Sequence, residues 1–218
     1  MMPLSLTQKL GGAPFQILCL GAHSDDIEIG CSGTLLKLID LYPDLHIHWV
    51  VFGASGDREQ EASNSAVSFL EHVTSKKIII SGFRDGFFPY MGAEIKEYFN
   101  QLKSQIAPDL ILTHYRDDRH QDHRLISDLT WNTFRDHLIW EYEIPKYDGD
   151  IGTPNLFIHL SEEICRKKVA NLFTHFESQT SKGWFTEDLF LSMLRIRGME
   201  SNSASKYAEA FYCRKMVV

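Results

Sequence analysis

Cysteine is scarce in this chain, and long hydrophobic runs are absent. The 218 residues include four cysteines, widely spaced at Cys19, Cys31, Cys165 and Cys213. Such scattered cysteines are typical of free thiols in a reducing compartment and do not indicate a disulfide framework. No apolar stretch approaches the ~18 residues that a membrane-spanning helix needs, and the start lacks the pattern of a signal peptide. We therefore expect a cytoplasmic protein.

Positive charge is also in deficit. There are 22 Lys and Arg against 29 Asp and Glu, which gives a net charge of -7. Because nucleic acids and anionic membranes are bound mainly through Lys and Arg, this balance argues against both as partners. Repeats, low-complexity tracts and linkers are absent, so we expect one domain over residues 1–218. The expected partner is a small molecule, and a homo-oligomer is compatible with the sequence.

Short apolar runs alternate with segments of helical period. The predicted strands are Phe15–Leu20, His46–Phe52, Lys77–Ile80 and Leu110–His114, and the predicted helices are Gly33–Leu41, Arg58–Val73, Met91–Ile106 and His123–His137. Parallel strands need crossover connections, so four successive βα units predict an α/β fold. The expected architecture is a Rossmann-like, doubly wound, mostly parallel sheet with helices on both faces.

The last third of the chain has a different pattern. Residues 138–144 and 155–160 are predicted to be extended, residues 162–177 and 187–195 helical, and residues 208–213 a late strand. Clusters of histidine and aspartate are scarce in this region. We expect it to pack against the sheet.

Polar residues that suit a metal follow two of the predicted strands. The first loop carries His23, Asp25 and Asp26, and the fourth carries three histidines and three aspartates: His114, His120, His123, Asp117, Asp118 and Asp122. In open α/β sheets, ligands bind beyond the carboxyl ends of the strands, so these loops should converge. Imidazole and carboxylate together suit zinc, and three protein ligands with one open position are typical of a catalytic site. The sequence thus predicts a site with two histidines and one carboxylate.

Two simpler interpretations and one other ligand class compete with this prediction. Asp26 could be the N-cap of a helix that starts near Ile27, and a histidine-rich turn is often a solvated loop. A dinucleotide site is disfavoured, because residues 21–30 do not form G-x-G-x-x-G and their acidic side chains would repel a pyrophosphate. The presence of both polar loops at strand ends favours the metal site.

Both loops resemble motifs of a known family. The run His23-Ser24-Asp25-Asp26-Ile27-Glu28 is similar to the A-H-P-D-D-x-E signature of the LmbE-like, or PIG-L-like, zinc-dependent N-deacetylases, and residues 120–123 (HQDH) resemble their H-P-D-H. Residues 30–35 (GCSGTL), 167–179 (KKVANLFTHFESQ) and 208–211 (AEAF) resemble further segments, so the resemblance spans most of the chain. It departs at Ser24 and Gln121, where proline is usual.

The resemblance implies specific roles at the matching positions. It implies that His23, Asp26 and His123 hold Zn²⁺ and that Asp25 is the general base for the zinc-activated water. It further implies that His120 stabilises the oxyanion or protonates the leaving amine, while Asp122 holds the His120 ring. Fe²⁺ or Co²⁺ would also suit this ligand set.

Other loops offer candidate substrate contacts. Asp57 and Arg58 follow the second strand and are expected either to contact sugar hydroxyls or a phosphate, or simply to form a solvated helix start. Arg84 and Asp85 are expected to form only a turn held by an ion pair.

The predicted activity is hydrolysis of an N-acetyl group on an N-acetylglucosamine-type sugar or sugar conjugate. Two alternatives remain open from the sequence. One is an amidase that acts on a larger amide such as a thiol conjugate, and the other is a Rossmann-like binding module that has lost catalysis. The second alternative conflicts with the joint presence of the implied ligands, base and acid.

Overall fold

Strands and helices alternate through residues 14–217, the part of the chain that the computed structural model describes. The prediction that the start of the chain carries no signal peptide concerns residues that lie almost entirely outside this range. The described strands are β1 (Gln16–His23), β2 (His46–Gly53), β3 (Ser75–Ile80), β4 (Leu110–His114), β5 (Leu138–Tyr142), β6 (Leu156–His159) and β7 (Ala208–Cys213). The described α-helices are α1 (Asp26–Leu41), α2 (Asp57–Phe69), α3 (Gly92–Gln105), α4 (Gln121–Thr133), α5 (Glu162–His175) and α6 (Glu187–Glu200).

The strands form one sheet in the order β3-β2-β1-β4-β5-β7-β6. Strands β1 to β5 are parallel, and β7 runs antiparallel between β5 and β6. The order reverses between β1 and β4, which is the switch point where such sheets bind ligands. The predicted doubly wound, mostly parallel sheet is therefore confirmed, and the last third of the chain extends it with an antiparallel edge.

The two faces of β1 show how helices cover the sheet. Successive side chains of a strand point to opposite faces. Ile17 and Cys19 pack in the core beneath α1, α2 and α5, whereas Leu18 and Leu20 pack in the core beneath α3 and α4. Helices thus cover both faces, and the ends of β1 and β4 lie between two apolar layers.

The first helix differs most from its predicted bounds. Helix α1 begins at Asp26, seven residues before the predicted start at Gly33. Its first ten residues are all buried, so this part of the helix has no exposed face and shows no amphipathic period. Smaller differences occur at α2, which ends at Phe69 instead of Val73, and at α4, which begins at Gln121 instead of His123.

Two expectations from composition can be compared with the described residues. All four cysteines are free thiols. No helix within residues 14–217 is long and apolar enough to cross a membrane.

Candidate metal centre and catalytic site

The candidate site lies at the carboxyl ends of β1 and β4. His23 is the last residue of β1, Asp25 and Asp26 form the start of α1, and His120 and His123 lie at the start of α4. All except His120, which is partly buried, are at most 7% exposed. The two predicted loops therefore converge, although about a hundred positions of sequence separate them.

Two imidazoles face each other across this site. Nδ1 of His23 lies 3.1 Å from Nε2 of His123. Nε2 of His23 faces acceptor oxygens of Asp122 at 3.2 Å and Asp85 at 3.1 Å, and Nδ1 of His123 faces an oxygen of Asp118 at 3.0 Å. A carboxylate oxygen accepts a hydrogen bond, so each ring carries a proton on the outer nitrogen that faces it, Nε2 in His23 and Nδ1 in His123. With the outer nitrogens protonated, the two inner nitrogens at 3.1 Å can share either a proton or a metal cation between them.

The Asp26 carboxylate completes the cluster. Its Oδ1 lies 3.5 Å from Nε2 of His123, and its Oδ2 lies 3.5 Å from Nδ1 of His23 and accepts the His23 backbone N–H at 2.6 Å. Tetrahedral ligands at zinc distances of 2.0–2.1 Å are about 3.4 Å apart. The separations between these three side chains match that spacing, and the donor set of two imidazoles and a carboxylate suits a divalent metal.

The protonation states also favour a cation. Burial raises the pKa of Asp26, but the His123 and His114 imidazoles outweigh it and hold this pKa well below its usual range. Burial, reinforced by His114, lowers the pKa of His123 to about 4. Burial also lowers the pKa of His23, yet hydrogen bonds with Asp122 and Asp26 outweigh it and raise this pKa well above its usual value. The cluster thus combines an ionised carboxylate, a neutral imidazole and a second imidazole whose acidic neighbours favour a positive charge on it. A divalent metal bound here would take the place of that ring's second proton.

Asp25 faces a different group. It is the N-cap residue of α1, but its side chain makes no capping hydrogen bond. Instead, its Oδ1 accepts a hydrogen bond from Arg58 at 3.1 Å. Burial raises the pKa of Asp25, Arg58 opposes this rise, and the neighbouring Asp26 adds to it. The capping interpretation of Asp26 is wrong, since that carboxylate turns back toward His23 inside the helix start.

His120 is the N-cap residue of α4. Its Nδ1 accepts the backbone N–H of Asp122 at 3.3 Å, so its ring proton lies on Nε2. The ring lies edge-on to His23, with centroids 4.8 Å apart, and 4.6 Å from the ring of His123. The capping hydrogen bond thus orients the His120 ring through Nδ1, and its Nε2–H takes no part in that bond.

The expectation that the Asp122 carboxylate holds the His120 ring is wrong for this structure. Besides facing His23, that carboxylate accepts the backbone N–H groups of Gly86 at 2.6 Å and Phe88 at 3.2 Å. The loop after β3 folds over the site and satisfies these oxygens. Asp122 therefore orients His23 and not His120.

The other predicted contacts divide into two groups. Arg58 reaches the site and bridges Asp25 to Asp85, whose carboxylate lies 3.3 Å from its guanidinium. Asp57 is exposed in the first turn of α2, and no contact among the described residues joins it to the cluster. The predicted ion pair of Arg84 with Asp85 is wrong, because the Asp85 carboxylate pairs with His23 and Arg58 and the Arg84 guanidinium lies 3.6 Å over the ring of Phe87.

Several site residues had no predicted role. Asp118 is buried, accepts from the His123 ring and pairs with Lys146 at 2.9 Å. Asp85 reaches His23 from a loop whose short polar run resembles an ordinary turn. His114 stacks on His123. The only sequence signal for Asp118 and His114 was their place in the histidine-rich loop.

Comparisons with known proteins match the part of the chain that carries the cluster. Residues 18–134 match the family described as PIG-L, GlcNAc-PI de-N-acetylase, and this segment contains every residue of the cluster. The Escherichia coli (strain K12) protein described as uncharacterized deacetylase YaiS is 30% identical over 172 residues, which cover 73% of this chain and 89% of that protein.

Solved structures share the fold. The conserved protein TT1542 from Thermus thermophilus has a TM-score of 0.71 at 20% identity and covers 93% of this chain and 96% of its own. The N,N'-diacetylchitobiose deacetylase from Pyrococcus horikoshii has a TM-score of 0.67 at 18% identity, with 94% and 86% covered. At these identities the likeness shows the architecture alone.

Proposed function

The chain belongs to the PIG-L family of de-N-acetylases, and on that premise we propose that it hydrolyses the N-acetyl group of an N-acetylglucosamine-type sugar or sugar conjugate. Family membership identifies it as an N-deacetylase. The metal-dependent mechanism is carried by one observation, the 3.1 Å approach of the inner nitrogens of His23 and His123 beside the Asp26 carboxylate, and the sugar substrate is supported by the description of the matching family as GlcNAc-PI de-N-acetylase.

We assign His23, Asp26 and His123 as the ligands of a divalent metal. Zinc suits this donor set, and Fe²⁺ or Co²⁺ would suit it as well. When bound, the metal supplies Lewis acidity that polarises the amide carbonyl and makes water a better nucleophile near neutral pH. Asp118 and Asp122 hold the two imidazoles in the tautomers that leave the inner nitrogens available.

Asp25 is the proposed general base. It accepts a proton from the attacking water as the new bond forms between the water oxygen and the acyl carbon. Burial raises the pKa of Asp25 toward neutral pH, and a general base is most effective when its pKa lies near the pH at which the enzyme works. Arg58, at 3.1 Å, keeps it oriented and favours its ionised form.

His120 is the proposed acid. An amine leaves poorly unless it is protonated, so the bond between the acyl carbon and nitrogen breaks as the doubly protonated His120 ring delivers its Nε2 proton to that nitrogen and returns to the neutral form. In the doubly protonated ring Nδ1 also carries a proton, so it gives up the 3.3 Å bond from the Asp122 backbone N–H. The Nε2–H can first stabilise the oxyanion of the tetrahedral intermediate. The products are acetate and the free amine.

Arg58 and Asp85 offer polar groups to the substrate at the rim of the site. The Arg58 side chain is 25% exposed and that of Asp85 is 55% exposed. A guanidinium and a carboxylate in contact can donate to and accept from adjacent sugar hydroxyls. Asp57 is not part of this proposal, because its exposed side chain lies outside the described cluster.

The wider setting also belongs to the proposal. We propose a cytoplasmic enzyme with a small-molecule substrate and no nucleic-acid partner, and self-association into a homo-oligomer is compatible with it. The four free thiols and the net charge of -7 support this setting.

The proposal is tested by metal analysis of the purified protein together with an amine-release screen. The screen compares N-acetylated monosaccharides, their nucleotide and lipid conjugates, and larger amides including thiol conjugates. We expect one equivalent of metal per chain and release from N-acetylglucosamine-type substrates. Release from the larger amides alone would contradict the substrate class, and absence of metal together with full activity would contradict the mechanism.

A further inference from the structure

A fourth histidine lies behind the candidate metal centre. His114 is the last residue of β4 and is fully buried. Its Nε2 lies 3.3 Å from Oδ2 of Asp26, and its ring stacks on that of His123 with centroids 4.0 Å apart and planes at 21°. His114 therefore touches two of the three proposed ligands.

Proximity alone would allow His114 to be a ligand. Ligand atoms of Asp26, His114 and His123 all lie within 4.8 Å of one another. However, Nε2 of His114 accepts the backbone N–H of Ala22 at 2.9 Å, which uses its lone pair and places the ring proton on Nδ1. Nδ1 is buried and has no hydrogen-bond partner among the described residues. Neither ring nitrogen thus offers a lone pair to a cation.

The bond to Ala22 fixes the end of β1. The register of β1 with β4 runs only as far as Cys19 and Leu112, so the backbone N–H of Ala22 lies beyond the last paired residues. A buried backbone N–H needs an acceptor, and the His114 imidazole supplies it. Ala22 directly precedes His23, so this hydrogen bond restrains the backbone that carries the first ligand.

The stacking contact acts on the other side of the centre. His123 is held through its Nδ1 by Asp118, which fixes one point of the ring. The face of His114 against His123 restrains the rotation that remains about that point. One side chain thus restrains the backbone of His23 and the ring plane of His123 together.

We propose that His114 is a positioning residue that sets the separation of the two imidazole ligands and thereby slows metal release. This inference rests on the proposed function, because it assumes that His23, Asp26 and His123 hold the metal. A polar ring with one unpartnered buried nitrogen is a poor choice for packing alone. Its position is explained by the two contacts that it makes.

Two substitutions separate the contacts of His114. His114→Phe keeps an aromatic face against His123 but removes the acceptor for Ala22, whereas His114→Gln keeps an acceptor and removes the stack. Tyr142→Phe is the matched control, since the Tyr142 hydroxyl lies 3.2 Å from Nε2 of His114 but donates to the Leu20 carbonyl at 2.6 Å. It perturbs the same pocket and leaves the hydrogen bond between His114 and Ala22 in place.

The experiment measures zinc per chain after dialysis, the rate of zinc release to a chromogenic chelator, and the visible spectrum of the cobalt-substituted protein. We expect His114→Phe and His114→Gln to keep one zinc per chain and the same type of cobalt spectrum, while zinc leaves about 10 to 100-fold faster. Tyr142→Phe should release zinc at the rate of the unsubstituted protein. Circular dichroism checks folding, and His114→Gln decides the question if His114→Phe does not fold.

Other outcomes overturn the assignment in distinguishable ways. Loss of zinc from both His114 variants, with a change of cobalt coordination number, would make His114 a ligand. If zinc leaves both variants at the rate of the unsubstituted protein, His114 only packs in the core and does not position the ligands, and the proposed function is unaffected. If the unsubstituted protein itself holds no divalent metal, the proposed function fails and this assignment fails with it.

Discussion

Asp25 and Asp26 are neighbours in the chain, but their carboxylates have different surroundings. Asp26 lies among imidazoles, and its pKa is held well below its usual range despite burial. Asp25 contacts Arg58, and burial raises its pKa. Two carboxylates whose environments move their pKa values apart are suited to different tasks. The proposed division into ligand and base rests on this difference.

Substituting each aspartate by asparagine separates the two roles. Asp25→Asn keeps size and hydrogen-bonding capacity but cannot accept the proton, so turnover should fall by about 10² to 10⁴-fold while metal content stays near one per chain. Asp26→Asn replaces a carboxylate ligand by a neutral amide, so metal and activity should be lost together. Metal analysis and amine release measure both effects. If Asp25→Asn loses the metal and Asp26→Asn keeps it, the assignment is reversed.

The pH dependence of kcat/KM reports on Asp25 and His120 together. In the proposed mechanism Asp25 must be deprotonated, so activity should rise with pH through its pKa, which burial raises. His120 must be protonated, so activity falls as pH rises through its pKa, which burial and the nearby His23 lower. A raised pKa for the base and a lowered pKa for the acid predict a narrow bell.

His120→Ala tests the descending side of this bell. The substitution should flatten the alkaline limb and slow turnover by about 10² to 10³-fold, the effect of one lost transition-state contact. Metal content should not change. If the alkaline limb persists in a variant that is equally slowed, another group carries that ionisation.

The proposed ligands could be selected from sequence, whereas the groups that orient them could not. His23, Asp26 and His123 fall in short motifs directly after strands, so the sheet topology alone brings them together. The partners of their outer nitrogens, Asp118 and Asp122, depend on how two loops fold. The prediction that Asp122 holds the His120 ring was wrong for this reason. The backbone N–H of Gly86, in the loop after β3, binds the Asp122 carboxylate where it faces His23.

A buried ion pair from the last third of the chain binds backbone groups in the middle of helix α1. Glu209 of β7 accepts the backbone N–H groups of Gly33 at 2.9 Å and Thr34 at 2.6 Å, which lie inside the helix. Lys168 of α5 donates to the Ile29 carbonyl at 2.6 Å and to Glu209 at 2.5 Å. Two elements of the last third thus clamp the helix whose first turn carries Asp25 and Asp26.

Removing one charge of this clamp should destabilise the protein. Glu209→Gln leaves the Lys168 ammonium buried without a counter-charge, which costs about 3 to 5 kcal/mol of unfolding free energy. Lys168→Met should cost less, since the two backbone N–H groups still stabilise the Glu209 carboxylate. Denaturant unfolding of both variants and of the double substitution checks the order. A smaller loss for Glu209→Gln than for Lys168→Met would contradict the clamp as described.

The start of α1 shows why some element bounds escape sequence prediction. The predicted start at Gly33 rested on the small residues that open the segment 33–41, whose exposed residues are Asp40 and Leu41. Gly30 lies where an added Cβ would meet the Tyr142 ring at 2.1 Å, so the preceding turn is enclosed by other elements. A helix buried on every side carries no periodic signal, and its glycines serve close packing.

At the scale of the whole molecule, the proposed metal joins the two halves of the doubly wound sheet. His23 and Asp26 come from the half that begins with β1, and His123 comes from the half that begins with β4. β1 and β4 pair directly only from Ile17 to Cys19 in the register of β1. A metal bound to both halves would therefore link them at their open end.

Metal binding should raise the thermal stability of the whole fold. A metal that binds only the folded protein adds about 4 kcal/mol at a free concentration of 1,000 Kd, and for a chain of this size each kcal/mol raises Tm by about 2 to 4 °C. We therefore expect Tm to rise by about 8 to 16 °C when zinc is added to protein stripped with a chelator, as measured by differential scanning calorimetry. Asp25→Asn should keep this rise, because it leaves the ligands intact, and Asp26→Asn should lose most of it. An equal rise in both variants would place the stabilising metal outside the cluster of His23, Asp26 and His123.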